Sequence, residues 1–158
     1  MSDALHRLTA VAIDPASLAP AGPEVEQERE VAIADLLEDN RFHPAGAEGG
    51  PYALHLARED NRLVLDVSGP AYRRAHGLSL TPFRGIIRDY FMVCDSYFDA
   101  VRGSSPQQIE ALDMGRRGLH NEGSELLRER LAGKIDTDLE TARRLFTLIC
   151  ALHRRTAL

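Results

Sequence analysis

The sequence predicts a single α+β domain spanning residues 1–158, in which a small antiparallel sheet of three or four strands packs against one N-terminal helix and a C-terminal group of three helices. Two patterns support this prediction. Short, alternating apolar runs typical of strands lie within the first 80 residues, and longer stretches with apolar residues at helical spacing fill residues 81–158. With 158 residues, 44% of them hydrophobic, the chain is long enough to bury the core of one domain.

The chain begins with a predicted strand followed by a predicted helix. Residues 8–13 form a β-branched and apolar run that Asp14 and Pro15 close. Further prolines and one glycine follow, and three glutamates then place negative charge where the dipole of a new helix favours it. Asn40 is the predicted end of this helix. Its apolar face comprises Val25, Ala32, Ile33, Leu36 and Leu37.

A loop and a hairpin are predicted next. Residues 44–51 are rich in glycine and lack periodicity, which indicates a surface connection. Two alternating runs then flank residues 59–61, as in an antiparallel hairpin. Their apolar positions are Tyr52, Leu54 and Leu56 on one side and Leu63, Leu65 and Val67 on the other. A further strand is predicted to end near Leu78 and Leu80, although residues 71–77 are also compatible with a loop.

Three helices are predicted in the C-terminal half. Thr81 caps the first, with Pro82 at its first position, and Ser105 begins the second. Thr137 and Glu140 have the spacing of a capping box for the third. The first helix has a wide apolar face formed by Phe83, Ile86, Ile87, Tyr90, Phe91, Cys94, Tyr97, Phe98 and Val101.

Composition argues against several classes of protein. The formal net charge of −5 disfavours broad nucleic-acid binding, which depends on neutralising phosphates. Cys94 and Cys150 lie in apolar runs without CxxC or Cys/His spacing, so neither a disulfide framework nor a metal site is predicted. No stretch approaches the roughly 18 apolar residues of a membrane span, and no signal core is present. We therefore expect a cytoplasmic protein with no membrane association.

Long segments of the chain carry a family resemblance. They are LSLTPFRGIIRDYFMVCDSYFDAV, IEALDMGRRGLHNEGSELLRERLAGKI and TARRLFTLICALHRR, together with VEQEREVAIADLLEDNRF in the N-terminal half. In these segments the chain is similar to uncharacterised protein family (UPF) 0262, a bacterial family of small cytoplasmic proteins. No activity, substrate or cofactor is assigned to that family, so the resemblance implies none for this chain.

The segment from residue 113 to 124, DMGRRGLHNEGS, combines three glycines with charged and amide side chains. Each glycine costs about 1 kcal/mol relative to alanine inside a helix, so some compensating feature is expected here. Two accounts are open. In the first, one long helix runs through the segment and the glycines let another backbone approach closely. In the second, the helix breaks, Gly123 or Ser124 caps a new helix, and the polar side chains gather in a turn.

The second account predicts a site for a phosphate or a carboxylate. A helix beginning at Ser124 would present free backbone N–H groups, and Arg116 or Arg117 would add positive charge. A purely structural interpretation instead pairs Asp113 with these arginines. Our functional hypothesis is a regulatory module that binds a small anion or a protein partner. Its candidate ligand-binding residues are Arg116, Arg117, His120, Asn121, Arg84 and Arg88.

The alternative hypothesis is a hydrolase or transferase that uses His120 and Glu122 as acid and base. No nucleophile accompanies them in a known spacing, and no cofactor motif is present. The GRRG tetrad is similar to the GxxG loop of KH domains, but Asn121 stands where that loop is followed by an apolar residue, so nucleic acid is not an expected partner. A homodimer through the apolar helix that carries Tyr90 and Phe98 is also compatible with the sequence.

Overall fold

The structure, a computed structural model, describes residues 5–154. Its α+β class, its four-stranded sheet, its N-terminal helix and its three C-terminal helices confirm the predicted architecture. In chain order the elements are β1 (Leu8–Ile13), α1 (Pro23–Glu38), β2 (Phe42–Pro44), β3 (Tyr52–Glu59), β4 (Arg62–Gly69), β5 (Tyr72–Ser79), a 3-10 turn (Thr81–Phe83), α2 (Arg84–Val101), α3 (Pro106–Leu131), β6 (Ile135–Thr137) and α4 (Leu139–His153).

The main sheet has the strand order β1-β3-β4-β5. The predicted hairpin is confirmed as β3 and β4, which pair antiparallel around a turn where Asp60 has a φ of 55°. However, β1 runs parallel to β3, with Ala12 opposite His55, so the sheet is mixed and not wholly antiparallel. Helix α1 lies within the connection between these two strands, and such a long connection allows parallel pairing.

A second, two-stranded sheet was not predicted from the sequence. In it β2 pairs antiparallel with β6, and His43 lies opposite Asp136. Each strand has only three residues, which is too short for an alternating pattern to stand out in a sequence. This small sheet fixes the end of α3 and the start of α4 next to the loop that precedes β3.

The core lies between one face of the main sheet and the helices. The sheet contributes the buried residues Leu54, Leu56, Leu63, Leu65, Val67 and Leu78. Helix α4 is the most buried helix, with nine buried residues among its fifteen, and it contacts both α1 and α3. Cys150 is one of these buried residues, as expected for a small core side chain. Within residues 5–154 there is no helix both long and apolar enough to cross a membrane.

Two of the predicted helix starts require correction. Residues 81–83 form a 3-10 turn, and α2 begins at Arg84 instead of Pro82. The N-cap of α4 is Asp138, whose carboxylate accepts a hydrogen bond of 2.9 Å from the backbone N–H of Thr141. The predicted capping box of Thr137 and Glu140 is therefore wrong, because Thr137 belongs to β6. The predicted start of α3 is confirmed, with Ser105 as its N-cap.

Helix α3 is continuous across the glycine-rich segment. It runs without interruption for 26 residues, so the account in which a new helix begins at Gly123 or Ser124 is wrong. Ser124 is a buried interior residue, and its hydroxyl donates a hydrogen bond of 2.7 Å to the carbonyl of His120. A Cβ atom at Gly123 would lie 2.1 Å from Cζ of Phe146 in α4. Close approach therefore explains this glycine, and the approaching group is an aromatic ring instead of a backbone.

Candidate functional site

The continuous helix separates the candidate residues that the sequence places together. Residues three or four apart share a helix face, whereas residues one or two apart do not. Accordingly, Arg116 and His120 are half-buried toward the neighbouring helices, while Arg117, Asn121 and Glu122 are exposed. The side chain of Arg117 is 72% exposed. The structure thus brings Arg116 and His120 to one face but does not bring Glu122 to His120.

The two arginines predicted on α2 lie away from this face. The Nη2 atom of Arg84 donates to Oδ1 of Asn61 in the β3–β4 turn at 2.6 Å. Arg88 forms an exposed ion pair with its neighbour Asp89, with an N–O distance of 3.2 Å. Neither arginine lines the surface cleft between α1, α2 and α4 that Arg116 reaches.

A cleft of about 380 Å³ lies between α1, α2 and α4, and Arg116 reaches it from α3. Its volume is within the usual range of small-molecule sites. Aromatic and aliphatic side chains dominate its walls, and its charged lining residues are Glu28, Asp35, Arg116 and Arg154. The lining residues that the argument below uses are Val31, Tyr90, Phe98, Arg116, Thr147 and Arg154.

The guanidinium of Arg116 is held by an aromatic ring and by one carboxylate. Its central carbon lies 4.9 Å from the centre of the Tyr97 ring. Its Nη2 atom donates to Asp113, which also pairs with Arg117 at 3.2 Å. These contacts, with the hydrogen bond from Arg116 first, lower the pKa of the Asp113 carboxyl group. The Nε atom of Arg116 is buried and has no hydrogen-bond partner among the described residues.

His120 is held as a neutral imidazole. Thr147 donates its hydroxyl hydrogen to the carbonyl of Arg143 at 3.0 Å, so its oxygen accepts the 2.8 Å hydrogen bond from Nε2 of His120. Burial first, and then the charges of Arg143 and Arg116, lower the pKa of His120 to about 4. At neutral pH the ring is uncharged and its single ring N–H is donated to Thr147, so the geometry does not support His120 as a general acid.

The tyrosine and the two cysteines that line the cleft are neutral as well. Burial raises the pKa of the Tyr90 hydroxyl and of the Cys94 and Cys150 thiols. A thiol attacks as its thiolate, so neither cysteine is activated as a nucleophile. Within residues 5–154 there is also no group of three or more histidine, cysteine or acidic side chains that could hold a metal ion.

Sequence reasoning missed most of the cleft walls. The sequence places Phe91 and Phe98 on the wide apolar face of α2, yet Phe98 is 61% exposed. Arg154 lies across the ring of Phe91 at 4.5 Å and pairs with Glu28 at 3.3 Å. One signal was available in the sequence: the predicted apolar face has nine positions from Phe83 to Val101, eight of them in α2, more than packing against one neighbouring helix would cover.

These features define a small α+β protein in which helices on one side of a mixed sheet enclose an apolar cleft that an arginine reaches. Residues 5–155 match the model of a family described as Uncharacterised protein family (UPF0262). The chain belongs to this family, and the resemblance noted from the sequence is confirmed.

The relatives match the chain over nearly its whole length. The UPF0262 protein of Phenylobacterium zucineum (strain HLK1) is 68% identical over 150 residues, which cover 95% of this chain and 94% of the relative. The UPF0262 protein of Caulobacter vibrioides (strain NA1000 / CB15N) is 65% identical with the same coverage. That of Maricaulis maris (strain MCS10) is 57% identical over 159 residues and covers 99% of both chains. No solved structure matches the chain.

Proposed function

We propose that the chain is a binding module that holds a small organic anion in the cleft, with the apolar body of the ligand against the aromatic walls and its anionic group on Arg116. The observation that carries this proposal is the buried Nε of Arg116, which lacks a hydrogen-bond partner among the described residues. An unsatisfied buried donor is costly, and a bound carboxylate would satisfy it.

The remaining donors of Arg116 fit this role. A guanidinium has five N–H groups, and the hydrogen bond that Arg116 donates to Asp113 uses Nη2. Stacking on Tyr97 holds the guanidinium plane in place before any ligand arrives. A carboxylate would thus meet a positioned fork of donors at one end of an otherwise largely apolar cleft.

Arg116→Gln is the variant that tests this proposal. We expect a carboxylate with a small apolar body, such as benzoate or hexanoate, to bind the wild-type chain, and the substitution to weaken binding about tenfold because one charged hydrogen-bonding partner is lost. Isothermal titration calorimetry measures the affinity, and thermal shift serves as a first screen across several acids and their neutral amides.

Arg117→Gln is the matched control. Arg117 is the next residue and also pairs with Asp113, but its exposed side chain does not line the cleft. The Arg117→Gln variant should bind each acid with the affinity of the wild type. Equal affinity of wild type and Arg116→Gln for every acid, or no binding of any acid to the wild type, would contradict the proposal.

A second candidate function is self-association through the apolar mouth of the cleft. Two side chains there, Phe98 and Val31, are 61% and 48% exposed, and Val101 is exposed one turn beyond Phe98. Contiguous exposed apolar side chains mark interaction surfaces.

We expect the wild type to form a dimer in sedimentation equilibrium, and Phe98→Ser to shift the equilibrium toward the monomer. Met114→Ser is the control, since Met114 is exposed but does not line the cleft. A wild type that stays monomeric would contradict the proposed self-association.

A further inference from the structure

A second pocket, of about 320 Å³, brings three arginines together. The segment of residues 17–21 between β1 and α1 forms one wall. Arg29 comes from α1, Arg58 from β3, and Arg154 from the residue that follows α4. The three side chains are distant in sequence, so the pattern of residues alone gave no sign of this pocket.

Arg29 is the most unusual of the three, because its side chain is only 5% exposed. Its Nη1 atom donates to the carbonyls of Leu18 and Ala19 at 3.4 and 3.1 Å and lies 3.0 Å from the carboxylate of Glu26. Its Nε atom is buried and has no hydrogen-bond partner among the described residues. A guanidinium that is removed from water in this way is costly unless its donors are used.

The other two arginines are anchored and still offer donors. The Nε atom of Arg58 donates to the carbonyl of Asp60 at 3.0 Å. The backbone N–H of Arg58 donates to the hydroxyl of Ser17 at 2.9 Å, which ties β3 to the wall segment. The Nε atom of Arg154 is paired with Glu28. In both side chains the polar contacts engage Nε, and the guanidinium of Arg154 also lies over the Phe91 ring. The terminal nitrogens of both are left for a ligand.

The lining of the pocket itself is basic. None of the described residues that line it is acidic. Three carboxylates lie close by: Glu26 and Glu28 each pair with one arginine, and Asp14 accepts a hydrogen bond of 2.7 Å from the Ser17 hydroxyl. Three guanidinium groups around one small space suit a ligand group with more than one negative charge and three or more acceptor oxygens. A phosphate monoester, which carries a charge of about −1.5 to −2 at pH 7, has this chemistry.

We propose that this three-arginine pocket binds the phosphate group of a phosphorylated small molecule. Arg29 forms the buried floor of the site, and Arg58 and Arg154 hold the phosphate from two sides. The pocket is separate from the cleft that Arg116 reaches, although Arg154 lines both. The phosphate site does not depend on the proposed function of the cleft.

Arg58→Gln tests the phosphate site because Arg58 lines this pocket, does not line the cleft and is not deeply buried. The probes are inorganic phosphate and phenyl phosphate, titrated at low ionic strength by calorimetry. We expect both to bind the wild type and Arg58→Gln to weaken binding about tenfold. In amide NMR spectra, phosphate should shift the signals of Ala19 and Ala21, which line the pocket.

Two controls make the result specific. Arg62→Gln removes the same charge from the neighbouring strand, outside this pocket, and should bind phosphate like the wild type. Arg116→Gln alters only the cleft and should also leave phosphate binding unchanged. Absence of phosphate binding to the wild type, or an equal loss in Arg58→Gln and Arg62→Gln, would overturn the proposal. Loss in Arg116→Gln but not in Arg58→Gln would assign the anion to the cleft and likewise overturn it.

Discussion

Gly123→Ala should destabilise the protein by about 3 kcal/mol, although alanine is the better helix former. The added Cβ would lie 2.1 Å from Cζ of Phe146 and 2.6 Å from two other ring carbons. Phe146 is fully buried in α4 and its ring also contacts Phe83, so it has little room to move. The expected loss corresponds to roughly 10 °C in melting temperature for a domain of this size.

Chemical denaturation of Gly123→Ala and Gly118→Ala measures this effect against a matched control. Gly118 lies in the same helix, and a Cβ atom there would meet nothing within 4 Å. Gly118→Ala should therefore stabilise the protein by up to about 1 kcal/mol through helix propensity alone. The opposite signs of two identical substitutions would show that packing against Phe146, and not helix propensity, fixes glycine at position 123.

A double-mutant cycle identifies the ring as the cause. In the wild type, Phe146→Leu removes buried contacts and should destabilise the protein. In the Gly123→Ala background the smaller side chain relieves the clash, so the same change should be nearly neutral or stabilising. Additive effects of the two substitutions would rule out the proposed clash.

Periodicity predicted the large elements because each has enough residues to display a pattern. The alternating runs that predict β3 and β4 were correct for this reason. The start of α3 was correct for a different reason, because Ser105 followed by Pro106 is a local helix-start signal. The parallel pairing of β1 with β3 could not be predicted from periodicity, since an alternating strand has the same pattern in either direction. The pairing of β2 with β6 joins residues more than 90 positions apart and likewise leaves no local signal.

The glycine-rich segment shows how a correct observation led to two accounts that only tertiary structure could separate. Glycine is unfavourable in an isolated helix, but packing overrides this preference where a neighbour needs the space. Gly123 is such a position, whereas Gly115 and Gly118 have no close neighbour that a methyl group would strike. We have no steric explanation for the latter two.

The candidate site was predictable only in part. Arg116 and His120 share a face because they are four residues apart in α3, and both lie against neighbouring helices. The cleft itself depends on how α1, α2 and α4 diverge, and its second arginine, Arg154, is 38 positions from Arg116. Helical spacing reports which residues share a face, but not whether the opposing helix closes over them.

The stability of the protein should decrease as the pH falls from about 6.5 toward 4. The folded state holds His120 neutral with a pKa of about 4, whereas an unfolded histidine has a pKa of about 6.5. Between these values the unfolded chain binds the proton first, so acid favours unfolding. The buried His76 contributes with the same sign, because burial, and then the charges of Arg74 and Lys134, lower its pKa.

We expect His120 to account for a loss of about 1 to 2 kcal/mol in the free energy of unfolding between pH 7.5 and pH 5. Urea denaturation over this range, compared between wild type and His120→Gln, isolates its share, because glutamine can still donate to Thr147 but does not titrate. His120→Gln should retain a shallower dependence owing to His76, and His55→Gln, at an exposed position, should behave like the wild type. Since Arg116 is among the charges that lower the pKa of His120, Arg116→Gln should raise that pKa in an NMR titration. An identical pH dependence in wild type and His120→Gln would show that the imidazole is not the proton acceptor.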